Sequence, residues 1–114
     1  MTFTLLDRTQ LPQEGNTFEF EGYRFNVADV SFIWVDMPTG GGVALHQHPY
    51  PEIFIIQEGI ATFTVGETTV DAKAGNIIIA PANTPHKFVN IGDGPLRQVD
   101  IHLSDRYVTD WLEE

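Results

Sequence analysis

The chain has 114 residues, 42% of them apolar, a formal charge of −10, only six Lys and Arg residues and no cysteine. That apolar content supports a single folded domain over residues 1–114, burying roughly two-thirds of the surface its unfolded chain exposes. Six scattered basic residues cannot assemble the basic patch that a nucleic-acid partner requires, the lack of thiols rules out disulfides, iron–sulfur clusters and thiolate zinc sites, and no apolar run is long enough for a membrane-spanning helix.

Met1 to Gln10 carries no basic segment followed by an apolar run, so no signal peptide is expected and a cytoplasmic location follows. Phe18–Phe20 and Tyr23–Val27 alternate around Glu21-Gly22 and read as a hairpin. Val30–Met37 is the next strand, and Pro38-Thr39-Gly40-Gly41-Gly42 breaks it. Val43–His48 resumes, and Pro49-Tyr50-Pro51 forces a bend because proline cannot donate to a ladder. Ile53–Gln57, Ile60–Val65, Thr68–Ala72, Ile77–Ala80, His86–Ile91 and Leu96–Leu103 follow, punctuated by Gly59, Gly66, Gly75 and Gly92-Asp93-Gly94-Pro95. The tail is the one segment with helical spacing. Ser104 or Asp105 would cap a short helix pairing Tyr107 with Trp111 and Val108 with Leu112.

His46, His48 and Glu52 share one parity, and side chains two apart on a strand point the same way, with Cα atoms about 6.6 Å apart. Two imidazoles so placed can converge on one ion. The Pro-Tyr-Pro bend lets a carboxylate swing to a third position, and His86, opening another strand after Asn83-Thr84-Pro85, could close the site from across a barrel. Such ligands suit iron(II), manganese, nickel, copper(II) or zinc. A histidine in a strand is more often a half-buried polar residue bonded to a carbonyl, so parity alone does not decide the matter.

The spacing around these residues does more. Gly40, five residues, His46-Gln47-His48, three residues, Glu52, six residues, Gly59 resembles the first cupin motif, over 40–59. Gly75, five residues, Pro81, then His86 and Asn90 resembles the second, over 75–90, except that Asn83 stands where glycine is usual. Asparagine tolerates the left-handed backbone such a turn requires. The resemblance implies an all-β double-stranded β-helix (a jelly-roll barrel) holding one divalent transition metal ion through His46, His48, Glu52 and His86. Asn90 would then cap a turn.

Other positions follow from alternation. In Val99–Leu103 the apolar residues are odd-numbered, so if these face the core, Asp100 and His102 face away. Phe54, Ile56 and Phe88 share the ligands' parity and are candidates to wall the pocket; Arg24, Phe32, Trp34 and Tyr50 are further possible contacts. Ile53–Ile56 and Ile77–Ala80 are apolar on both parities, so both faces of these strands should be covered, by the terminal segments or by a second subunit of a homodimer. The resemblance does not fix a reaction, since cupins host many chemistries. The leading expectation is an oxidoreductase of dioxygenase type acting on a small organic substrate, with Glu52 as the ligand that loosens and takes a proton. The alternatives are a non-catalytic binder of a metal and small metabolite, and a metal-assisted sugar isomerase or epimerase.

Overall fold

The computed structural model describes residues 2–113, in which eleven strands and two short 3-10 turns are assigned. The strands are β1 (Gln13–Glu14), β2 (Thr17–Glu21), β3 (Ser31–Met37), β4 (Gly42–Gln47), β5 (Glu52–Glu58), β6 (Ile60–Val65), β7 (Thr68–Lys73), β8 (Ile77–Ala80), β9 (His86–Asn90), β10 (Leu96–His102) and β11 (Asp110–Trp111). They form a six-stranded sheet, β1-β2-β3-β10-β5-β8, facing a five-stranded sheet, β11-β4-β9-β6-β7, with every pairing antiparallel. This is the all-β jelly-roll sandwich that the turn spacing and the two motifs imply. Asn83 adopts the left-handed conformation, with φ of 59°, so the turn before His86 forms without glycine.

Two expected elements are replaced. Tyr23–Val27 is not a strand: Gly22–Phe25 forms a 3-10 turn, and β2 pairs instead with β3. A Cβ on Gly22 would lie 2.1 Å from the Val30 carbonyl oxygen, so the chain folds back too closely there for a two-strand ladder. The C-terminal helix is absent as well, because its amides are spent over long range rather than four residues back. Tyr107 N–H donates to Glu21 Oε2 (3.2 Å), Val108 N–H to the Tyr50 hydroxyl (3.2 Å) and Leu112 N–H to the Leu45 carbonyl (2.9 Å). The tail therefore crosses from one sheet to the other and ends as β11 beside β4.

Inside the sandwich, Val35, Met37, Phe54, Ile56, Ala61, Phe63, Ala72, Ala80, Phe88 and Leu96 make one core. Phe63 packs edge-on against Phe54 (ring centroids 5.1 Å apart) and stacks on Phe88 (5.3 Å). Burying each such ring contributes on the order of 2–3 kcal/mol. The strands change character along their length: β10 runs from Leu96 in this core to His102, and β5 from Ile56 back to Glu52. The core occupies one end of the sandwich and polar side chains fill the other.

The outer face of the six-stranded sheet is also apolar. In register across it lie Phe18, Trp34, Val99, Ile55 and Ile77 in one row, and Phe20, Phe32, Ile101, Ile53 and Ile79 in the next. At the β2–β3 end Arg8 covers Phe18 and Trp34, its guanidinium 4.9 and 5.3 Å from the rings, and Phe25 stacks on Phe20. At the β8 end Ile77 and Ile79 are 63% and 62% exposed. The described termini lie elsewhere and do not cover them.

Candidate metal centre

The polar end of the sandwich is built by local devices. β4 carries a bulge: Val43 opposes Phe88, but His46 opposes His86, one residue out of step. The extra residue reverses parity, so that Val43 and His46 both face inward. His48 follows on the same chain, and Pro49 to Pro51 carries it over to Glu52 on the opposite sheet. His86 opens β9 directly beside His46.

His46, His48, Glu52 and His86 form a buried metal-binding group, with one ligand atom from each lying within 4.8 Å of the others. The three imidazoles are oriented alike. Nδ1 of His46, His48 and His86 lies 2.8, 2.8 and 2.9 Å from the carbonyl oxygens of Ala44, Val108 and Thr84. A carbonyl can only accept, so each Nδ1 carries the proton and each Nε2 presents a lone pair to the centre, as metal-ligating histidines do. Burial pushes His46 down to about 4, with the neighbouring imidazoles of His86 and His48 adding to the effect, so it is neutral at pH 7.

Nε2 of His48 and of His86 are both 3.0 Å from Glu52 Oε1. His48 Nε2 is out of line for a hydrogen bond and has no other partner despite its complete burial. Two donors about 2.1 Å from an octahedral ion and at right angles lie about 3.0 Å apart, so these separations suit adjacent ligands of one ion. The donor set fits a divalent transition metal. Burial alone would raise Glu52, but hydrogen bonding from the His102 imidazole holds its carboxyl well below the usual range.

Two further residues complete the centre. His102 is buried, and its Nε2 lies 3.1 Å from Glu52 Oε2. Its Nδ1 is 2.7 Å from the Tyr50 hydroxyl, which accepts from Val108 N–H. Burial pushes Tyr50 up to about 12, so the hydroxyl keeps its proton and donates it to His102 Nδ1. The Nε2 proton then faces Glu52 Oε2, leaving Oε1 to the ligand group. Asp100 is the second addition, buried on the same strand and accepting 2.7 Å from Gln98 Nε2. Burial, with the charge of Glu52, drives its carboxyl well above the usual range.

Asp100 and His102 thus lie on the inner face, opposite to what alternation along β10 predicts when its apolar parity is taken as the inward one. Because the outer face of this sheet is apolar too, Val99 and Ile101 occupy that side, and the even-numbered residues turn inward. The same inversion removes Phe32 and Trp34 from the pocket, while Arg24 pairs with Glu21 (3.2 Å) at the surface. The useful signal was register: His102 lies opposite Glu52. Phe54 and Phe88 do line the cavity; Ile56 belongs to the core, and Tyr50 stacks on His48 with ring centroids 4.9 Å apart. Asn90 caps the following turn, accepting from Gly92 N–H at 2.9 Å and donating to the Gly94 carbonyl at 2.9 Å.

A cavity of about 390 Å³ opens onto the group, with His46, His48, Glu52 and His102 at its floor. Ile33, Val43, Phe54 and Phe88 form apolar walls, and Glu14, Glu19 and Trp111 are among the other lining residues.

Two facing antiparallel sheets with three histidines and a glutamate buried between them define a metal-binding β-sandwich. Residues 33–102 match the family model described as Cupin domain, and the chain belongs to that family. An uncharacterized protein of Methanocaldococcus jannaschii is 39% identical over 62 residues, which is 54% of this chain and 50% of the relative. Among solved structures, a Bacillus subtilis oxalate decarboxylase with Mn(II) centres is 26% identical, with a TM-score of 0.82 over 91% of this chain and 30% of that one. The formate complex of Lactobacillus farciminis oxalate decarboxylase, 23% identical, shares the fold with a TM-score of 0.80 over 91% of this chain and 34% of that one. The chain therefore spans about half of the curated relative and about a third of these two enzymes.

Proposed function

We propose that the protein is a metal-dependent oxidoreductase of dioxygenase type acting on a small organic molecule. The observation that supports it is the cavity, which has one side on the four-ligand group and apolar walls large enough for a ring-sized substrate. The ion would supply Lewis acidity and a template for substrate. The protein's own groups supply the rest. Glu52 is the catalytic residue that takes a proton from a substrate hydroxyl, and His102 holds its Oε2 while it does so. Asp100, driven the other way by burial, stays protonated and donates. Two carboxyl groups with acidities pushed apart in one cavity are suited to opposite halves of a proton transfer. Phe54 and Phe88 keep water from the reacting end.

The assembly belongs to the same reading. The open end of the apolar outer face, centred on Ile77 and Ile79, is covered by a second copy, giving a homodimer that works in the cytoplasm.

The test is oxygen consumption by metal-loaded protein supplied with catechol, a flavonol or a β-diketone. Uptake that requires both metal and substrate, and falls at least tenfold in Asp100→Asn, is expected. Loaded protein that consumes no oxygen with any of the three would overturn the reading.

A further inference from the structure

The cavity is selective for charge. Every Lys and Arg side chain of the described residues lies outside its lining. Arg8 sits over Phe18 and Trp34 on the outer face; Arg24 pairs with Glu21, Arg97 with Asp36 and Glu58, Arg106 with Asp105, and Lys87 with Glu113. Lys73 is exposed on β7. Against this, three carboxyl groups besides Glu52 line the cavity: Asp100 within it, and Glu14 and Glu19 on the β1–β2 hairpin.

Their placement follows from register. Asp100 opposes Ile33 on β3, and Ile33 opposes Glu19 on β2, so the three form one cross-strand row on the inner face. Strands lie about 4.8 Å apart, which sets the backbones of Asp100 and Glu19 about 9.6 Å apart along that row, with Ile33 between them. A molecule seated at the metal group and reaching along the row meets a hydrocarbon floor, then carboxyl oxygens.

We propose that this cavity takes an oxygen-donor substrate bearing an amine or no charge, and rejects carboxylates, with Glu14 and Glu19 as the specificity-determining residues. Carboxylate oxygens accept hydrogen bonds and repel anions; nothing in the lining offers the guanidinium or ammonium that a carboxylate tail needs. Two structural relatives are oxalate decarboxylases, whose substrate is a dianion. This cavity is charged for the opposite kind of ligand. The inference rests on the cavity being the substrate site of the reading above.

Three catechols isolate the effect, because they present the same diol and differ only in the tail: dopamine (cationic), catechol (neutral) and protocatechuate (anionic). Binding is measured under argon at pH 7.5 on cobalt(II)-loaded protein, through the visible bands of the cobalt and by calorimetry, so that no turnover is needed. Dopamine is expected to bind at least tenfold more tightly than protocatechuate, with catechol between them. In Glu14→Gln/Glu19→Gln the ratio should fall to threefold or less, chiefly through weaker dopamine binding, with cobalt affinity unchanged. Protocatechuate binding as tightly as dopamine, or an undiminished ratio in the double variant, would overturn the charge selection while leaving the oxidoreductase reading to the oxygen assay. If none of the three perturbs the cobalt bands at millimolar concentration, the cavity does not seat a catechol and the charge selection falls, while the oxidoreductase reading stays with the oxygen assay on the flavonol and the β-diketone.

Discussion

Tyr50→Phe removes one oxygen atom and no ring. That oxygen lies 2.7 Å from His102 Nδ1 and accepts Val108 N–H at 3.2 Å. Val108 is 47% exposed, so its amide can turn to water, whereas His102 is buried and cannot. An unmatched buried donor or acceptor costs about 1–3 kcal/mol. The imidazole then loses the group that fixes which nitrogen carries its proton, and Glu52 Oε2 loses its oriented neighbour at 3.1 Å. Changing the outer partner of a metal ligand typically lowers affinity 10- to 100-fold, or about 1.4–2.7 kcal/mol. The assay is competition for cobalt(II) or zinc against a chromogenic chelator at pH 7.5, alongside thermal melts of the apo and loaded forms. The expected result is weaker metal binding in that range, and a smaller gain in melting temperature on loading than in the parent protein. His102→Ala should weaken binding at least as much, although the sequence alone suggests that this histidine faces away. If Tyr50→Phe lowered both melting temperatures equally and kept the dissociation constant within twofold of the parent, the chain Tyr50–His102–Glu52 would be structural padding and the reasoning would fail.

Replacing His46 or His86 by alanine should lower metal affinity by an order of magnitude or more in the same competition assay, since each removes a ligand that water replaces poorly. Chelation should lower the melting temperature by several degrees at pH 7.5, consistent with about 2.7 kcal/mol for a ligand at a hundred times its dissociation constant. The effect should shrink by pH 5.5. His46 in the folded chain is depressed to about 4 from 6.5, so the stability it contributes is present above 6.5 and lost as pH falls toward 4; metal binding depresses the ligand histidines further and follows the same sign. An equal chelator effect at both pH values would contradict this. Ile77→Lys/Ile79→Lys should convert the proposed dimer to a species near 12.8 kDa by light scattering, with metal affinity unaltered. A parent protein already monomeric at that mass would remove the dimer.

The strands were legible because turn residues recur at the spacing a jelly roll demands; β6 and β8 fall where the glycines and the apolar runs put them. The four ligands were legible because their spacing is that of the family motif. Less visible were features that depend on what lies across a sheet. The parity of β10 was misread because apolar residues cover both faces of its sheet, so hydrophobicity no longer distinguishes inside from outside. The bulge between Val43 and His46 leaves no compositional trace, since neither Ala44 nor Leu45 is a bulge-specific residue. Helical spacing in the tail was overridden by distant acceptors: the Tyr107 hydroxyl donates to the Phe32 carbonyl (2.6 Å), 75 residues away, with Phe20 O 2.9 Å off.

The ligands are divided unequally between the sheets, with His46 and His86 carried by the five-stranded one, His48 one residue past the end of its β4, and Glu52 by the six-stranded one. An ion held there rivets two layers that otherwise meet through side-chain packing, and a single carboxylate carries the whole of one side. The sandwich consequently has two ends of different cohesion. Around Phe63 and Leu96 dispersion and burial hold the layers whatever ions are in solution; around Glu52 the grip depends on metal and proton concentration. Opening from the native state should begin at the ion-held end whenever metal is scarce, and amide hydrogen exchange at His86 to Phe88 would register it before the backbone beside Phe63 does.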